Sequence, residues 1–228
     1  MQNPNTISAF DVIGPTMIGP SSSHTAGALR IALLARSLAG GNAIQHVEFV
    51  LYGSFARTYA GHGTDRALLA GMMGMDPCDE GIRDAMTLAD RRGLSYRFTV
   101  NTKTQRSHPN TVDICYETAN GRHIRVSGRS IGGGCAVITA IGDTVVEFTG
   151  SYHTIIINNY DRPGAVAKIT ALLAEARINI AFMRLYREAK GDRAFTLIEC
   201  DEAIPASISE QLGHLPEVES AIVVAAVQ

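Results

Sequence analysis

Residues 153–224 constrain the fold more tightly than any other part of the chain. Three consecutive isoleucines in 153–158 predict a strand. Asp161-Arg162-Pro163-Gly164 breaks it, and Val166, Ile169, Leu172, Leu173 and Ala176 then recur at helical spacing. Residues 179–186 and 194–200 read as strands around a Lys190-Gly191-Asp192 turn. Residues 205–212 form a short helix that opens on proline, where that residue is tolerated, and 218–224 are a last strand. The order β-α-β-β-α-β is the ferredoxin-like arrangement.

The preceding residues carry a different texture, and Gly150-Ser151 separates the two parts. The expected division is 1–149 and 152–228. The first part opens with a strand at 9–13 and a loop at 14–23 containing Pro15, Gly19, Pro20 and three serines. A helix follows, with Ala28, Leu29, Ala32, Leu33 and Ala35 inward, Arg30 and Arg36 outward, and Gly40-Gly41 as its stop. Val47, Phe49 and Leu51 alternate in a strand over 46–52. After a loop holding Gly61, His62 and Gly63, Thr64 reads as the N-cap of a helix reaching Gly71, with Asp65 near its positive end. Residues 79–92 read as one more helix.

From 96 to 148 the pattern is strands. Tyr96, Phe98 and Val100 alternate, as do Val112, Ile114 and Tyr116, and Asn120-Gly121 suggests a type I′ hairpin turn. Gly142-Asp143 suggests another turn. The segment reads as a meander or a barrel-like sheet interrupted by three glycines at 132–134. The class is therefore α+β: an N-terminal α/β domain with a β-rich, barrel-like segment, and a C-terminal ferredoxin-like βαββαβ domain.

Composition excludes several partners. Net charge is −2 with no basic run, which argues against nucleic acid. No apolar stretch approaches the roughly 20 residues of a membrane span, and the polar first ten residues lack a signal-peptide pattern. A soluble, cytoplasmic protein is expected. Cys78, Cys115, Cys135 and Cys200 are too scattered to suggest a zinc or iron–sulfur site.

Chemistry-bearing residues fall in four places. Ser21-Ser22-Ser23-His24-Thr25, preceded by Gly19-Pro20, sets hydroxyls and a titratable ring at a helix N-terminus, a site suited to a carboxylate and to proton transfer. The competing reading is a serine cap with an incidental histidine. Gly61-His62-Gly63-Thr64-Asp65 places a histidine on a loop where backbone can approach a ligand, or simply on a surface turn. His108-Pro109-Asn110-Thr111 is the third. Ser130-Ile131-Gly132-Gly133-Gly134 is the fourth, a run that could cradle an anion or merely bend the sheet.

Together these motifs resemble the β component of bacterial iron–sulfur-dependent L-serine dehydratases, over almost the whole chain. The first part is similar to a domain shared with some phosphoglycerate dehydrogenases. The second resembles an ACT domain, whose first turn carries the Asp161–Gly164 pattern. The resemblance implies conversion of L-serine to pyruvate and ammonia with a [4Fe–4S] cluster ligated by a separate α subunit, and no metal on this chain. It implies His24 and His62 as catalytic residues and Ser21, Ser22, Ser23, Thr25, His108 and Asn110 as substrate-binding residues. In the ACT part it implies Asn158, Asn159, Asp161 and Gly164 as effector-facing residues, and self-association of β chains within a larger assembly. An alternative stands beside it: a non-catalytic amino-acid-sensing module related to the C-terminal region of phosphoglycerate dehydrogenase.

Overall fold

The computed structural model describes residues 21–187 and 189–227. The expected strand at 9–13 and most of the loop at 14–23 lie outside them. The chain divides into two compact units, one ending at Gly142 and one beginning at Asp143.

In the first unit a π-helical turn, Ser22–Ala26, runs directly into α1, Gly27–Ser37. Strand β1, Ile44–Tyr52, is followed by two helices, α2 (Gly53–Thr58) and α3 (Thr64–Met72). A 3₁₀ turn, Glu80–Asp84, leads into α4, Ala85–Arg91. Strands β2 (Ser95–Asn101), β3 (Thr111–Thr118), β4 (His123–Gly132) and β5 (Cys135–Ile141) complete the unit. Within it the strands lie in the order β2-β1-β3-β4-β5. β1 pairs parallel with β2 and antiparallel with β3, and β3, β4 and β5 form an antiparallel meander. The β-rich segment thus extends one open sheet with β2 at its edge, and is not closed into a barrel.

Alternation along β1 does what the sequence predicts. Val47, Phe49 and Leu51 are fully buried, while His46, Glu48 and Val50 lie on the other face. α1 packs along α3 and against β4 and β5. Gly71 permits that crossing, because a Cβ there would stand 2.6 Å from both the Ala32 Cβ and the Leu29 carbonyl oxygen. Ala28, Leu29, Ile31, Ala32, Leu34 and Ala35 are buried in α1, whereas Leu33, expected inward, is only partly buried.

Four local readings are corrected. Arg36 does not face outward: its Nη1 donates to the Met72 carbonyl at 2.7 Å, satisfying the C-terminal end of α3. Arg30 is only partly exposed. Thr64 is not a cap: Gly63, at φ 70°, takes the capping position and Thr64 is the first helical residue, completely buried. The 79–92 helix is split, with the Asp79 side chain accepting from Gly81 N ahead of the 3₁₀ turn. The Asn120-Gly121 hairpin is not type I′ either, since Gly121 has a positive φ and Asn120 does not.

The second unit begins with a short strand, β6 (Thr144–Phe148), and then follows the predicted order closely. It runs β7 (His153–Tyr160), α5 (Ala165–Glu175), β8 (Ile180–Arg187), β9 (Arg193–Cys200), α6 (Ala206–Gly213) and β10 (Val218–Val224). The sheet order is β10-β7-β9-β8, every pairing antiparallel. Ile155, Ile157 and Ile198 from the sheet meet Ile169 and Leu173 of α5 and Ile208 and Leu212 of α6 in one core. Burial of such side chains is worth about 1.5–3 kcal/mol each, enough to fix which face of the sheet the helices cover.

Candidate active site

Ser21 opens the site. Its extended backbone and side chain cap the π-helical turn, Oγ accepting from His24 N at 3.3 Å. The hydroxyl-rich string is therefore mostly helical: Ser22, Ser23, His24 and Thr25 all stand within the turn, and Ser21 alone precedes it. This arrangement aims the first-turn N–H groups and the positive helix end at one place.

The turn brings the four motifs together. Thr25 Oγ1 donates to the His62 carbonyl at 3.3 Å. The His24 ring lies edge-on to His62 and to Phe55, with centroid separations of 4.9 and 5.3 Å. His24 Nε2 is 3.1 Å from Ser54 Oγ, and Nδ1 is 3.4 Å from Ser21 Oγ. Ser54 N in turn donates to the Pro109 carbonyl at 2.7 Å, tying down the third motif. Asn110 accepts through its carbonyl from Ser130 N at 3.0 Å, which joins the fourth. The last link returns to the start: a Cβ on Gly132 would stand 4.0 Å from Ser23 Oγ, and one on Gly27 would meet Ser130 Oγ at 2.0 Å.

Glycine is required at the bend of the fourth motif. Gly132, Gly133 and Gly134 have φ of 100°, 59° and 79°, a succession that residues with a Cβ rarely adopt. They close the hairpin between β4 and β5 beside Ser23.

Several polar atoms in the cluster are buried without a hydrogen-bond partner among the described residues: His62 Nδ1, Thr64 Oγ1, Asn110 Oδ1 and Ser130 Oγ. Each such atom costs about 1–3 kcal/mol when left unpaired. Their concentration here fits a site built to receive a polar ligand.

Electrostatics favour neutral imidazoles. Burial, reinforced by the neighbouring His62, holds His24 below the ordinary histidine value. Burial and the Arg129 charge do the same to His108, whose Nδ1 accepts from Asn110 N at 3.2 Å. Asp65, in the first turn of α3, has its carboxyl pushed above the usual range by burial.

Two of the anticipated hydroxyls are already engaged within the cluster, and four anticipated residues belong to the second unit. The Thr25 hydroxyl is engaged by His62, and the Ser21 hydroxyl by the backbone of His24. In the second unit, Asn158 Nδ2 donates to Ser220 Oγ at 2.9 Å. Asn159 is almost fully buried, accepting from Thr196 Oγ1 at 2.7 Å. The Asp161 carboxylate accepts from Gly191 N and pairs with Arg187, which holds it below the usual carboxylate range. Gly164 caps α5 at φ 89°. Asn158 and Asn159 thus tie β7 to β10 and β9, while Asp161 and Gly164 shape the turn between β7 and α5. Ser54 and Phe55 escaped the sequence reading. The only signal was a Gly-Ser pair directly after a predicted strand.

This chain's own donors do not fit an iron–sulfur cluster. The four cysteines are free and dispersed, and among the described residues no three His, Cys, Asp or Glu side chains are grouped to hold a metal ion.

Fold and site define a two-unit protein of a recognisable class: a hydroxyl-and-imidazole site on an α/β unit, followed in sequence by a βαββαβ unit. Residues 8–140 match the serine dehydratase beta chain family, and residues 153–217 match the ACT domain. The chain belongs to the serine dehydratase beta chain family. It is 40% identical over 205 residues to the L-serine dehydratase beta chain of Peptoniphilus asaccharolyticus, covering 90% of this chain and 92% of that one. It is 39% identical over 211 residues to the probable L-serine dehydratase beta chain of Bacillus subtilis, covering 92% and 94%. Similarity to D-3-phosphoglycerate dehydrogenase of Mycobacterium bovis is partial: 29% identity over 140 residues, 56% of this chain and 25% of that protein.

Proposed function

We propose that this chain is the beta subunit of an L-serine dehydratase, deaminating L-serine to pyruvate and ammonia together with an iron–sulfur alpha subunit. The observation that carries the reading is the convergence of His24, His62, Asn110 and Ser130 on one hydroxyl-lined helix end, in a chain that matches beta-chain relatives over nearly their whole length. The dehydratase role extends the names of those relatives to this chain. A sensing module alone, the alternative, leaves that convergence without a purpose, and the phosphoglycerate dehydrogenase similarity that favours it is partial.

In this reading the substrate carboxylate sits at the N-terminal end of the Ser22–Ala26 turn, held by the Ser22 and Ser23 hydroxyls and by first-turn N–H groups. His108 and Asn110 complete the pocket wall. Neutral His24 takes the proton from the α-carbon as the β-hydroxyl departs, and the neighbouring His62 further disfavours the resting His24 cation. The resulting enamine tautomerises and is hydrolysed to pyruvate and ammonia. A [4Fe–4S] cluster held by the alpha subunit would supply Lewis-acid assistance to the departing hydroxyl. The ACT unit adjusts activity by binding a small effector near Asn158, Asn159, Asp161 and Gly164, and beta chains pair within the assembly. No helix among the described residues is long and apolar enough to cross a membrane. Free cysteines suit the reducing cytoplasm, where this reading places the protein.

Anaerobic mixing of the chain with its alpha partner tests the reading. Pyruvate formation from L-serine is expected from the mixture and not from either chain separately. Turnover by the purified chain with iron of its own would overturn it.

A further inference from the structure

A histidine that moves a proton needs one ring nitrogen with a lone pair and the other fixed by a hydrogen bond. His24 has a hydroxyl at each nitrogen, and the two contacts are unequal. Nε2 to Ser54 Oγ, at 3.1 Å, is within ordinary hydrogen-bond length. Nδ1 to Ser21 Oγ, at 3.4 Å, is longer, and that oxygen already accepts from the backbone N–H of His24.

Ser54 is also the better anchored of the two serines. Its N–H donates to the Pro109 carbonyl, and its own carbonyl accepts from Thr58 Oγ1 at 3.0 Å. Gly53 just before it has φ 55° and lies so close to Pro109 that a Cβ would stand 2.5 Å from the Pro109 oxygen. The hydroxyl is thus presented by a short helix whose first turn is clamped against the 108–110 segment.

We infer that Ser54 is a positioning residue for His24: its Oγ accepts the Nε2–H and fixes the tautomer in which Nδ1 carries the lone pair. The inference rests on the proton-transfer role proposed for His24 and deepens it, because it names the nitrogen that receives the proton. Without Ser54 the ring keeps its edge contacts to Phe55 and His62 but loses the polar contact that selects one tautomer.

The test uses the full chain labelled with ¹⁵N-histidine, with the His24 resonances assigned by their loss in His24→Gln. Imidazole nitrogen shifts of the wild type are expected to report Nε2–H and a lone pair on Nδ1. Ser54→Ala is expected to give a mixture of tautomers, and Ser54→Thr, which keeps the hydroxyl, to restore the wild-type pattern. Circular dichroism confirms that each variant is folded. In the assembled enzyme, Ser54→Ala is expected to lower kcat by about 10-fold or more with KM within about twofold, and Ser54→Thr to stay within about threefold of wild type. A wild-type Nδ1–H tautomer, or one unchanged by Ser54→Ala, overturns the inference whatever the activity. A changed tautomer with unchanged kcat overturns the catalytic role of His24, since the tautomer is read without the partner chain.

Discussion

The rings of His24 and His62 meet edge to face, their centroids 4.9 Å apart and their planes at 75°. Two imidazoles this close resist carrying charge together. Burial first, and His62 second, disfavour the His24 cation, which keeps that ring in the neutral form a proton acceptor needs.

The pH dependence follows with a definite sign. Lowering the His24 value below 6.5 keeps the ring unprotonated to more acidic pH, so kcat/KM for L-serine should hold its plateau below that value and fall on the acid side. His62→Gln removes the smaller of the two causes. The acid limb should then move toward alkaline pH, remaining short of the ordinary value because burial persists. A limb that stays in place would show that the His62 charge does not reach His24. The same shift bears on stability: between 6.5 and the lowered value the unfolded chain binds the proton more readily, so this contribution to stability is lost as pH falls through that window.

His24→Ala should lower kcat by roughly 10² or more, the usual scale of general acid–base catalysis. Ser22→Ala should mainly raise KM, because a hydroxyl that holds the carboxylate equally before and during elimination contributes uniform binding. Both are measured as pyruvate release by complexes shown to retain the alpha chain. A His24→Ala complex turning over within about threefold of wild type would reduce His24 to a neighbour of the cap and move the base to the alpha chain.

How much of this was legible in sequence depended on the range of the interactions. The second unit could be read to within a residue or two at most strand and helix ends because apolar periodicity, a local property, specifies each element. The parallel pairing of β1 with β2 was hidden, since its partner returns only after three helices. Helix α2, Gly53–Thr58, is too short to show a period and starts from a glycine that has a positive φ and packs against Pro109 too closely for a Cβ. The motif residues His24, His62, His108 and Asn110 were visible by type. Their mutual contacts, and Ser54 with them, were not, because a hydrogen bond spanning 30 residues leaves no mark in local spacing.

Gly53 offers a test of that crowding. Gly53→Ala forces a Cβ to within 2.5 Å of the Pro109 carbonyl at a φ of 55°, and should destabilise the first unit by about 1–3 kcal/mol. Gly41→Ala, at φ 83° with nothing within 4 Å, carries only the conformational strain, about 1 kcal/mol. Urea unfolding of both variants separates steric from conformational cost. Gly53→Ala should also lower turnover in the complex, since displacing Pro109 releases the Ser54 backbone; Gly41→Ala should not.

Self-association is expected to involve the outer edge of the second sheet. β8 is one of the two edge strands in the order β10-β7-β9-β8, and it displays Phe182 and Leu185 at 48% and 41% exposure. Isologous pairing is the commonest way for a soluble chain to cover such an edge. Light scattering at micromolar concentration should therefore give the mass of a dimer for the isolated chain. Leu185→Asp places a charge at the edge without disturbing the Ile155, Ile169 and Ile198 core, and should shift the mass toward monomer while leaving the thermal unfolding of the unit intact. A wild-type monomer under these conditions would remove the expectation. A Leu185→Asp variant that remains dimeric would move the contact away from β8 to another surface of the chain.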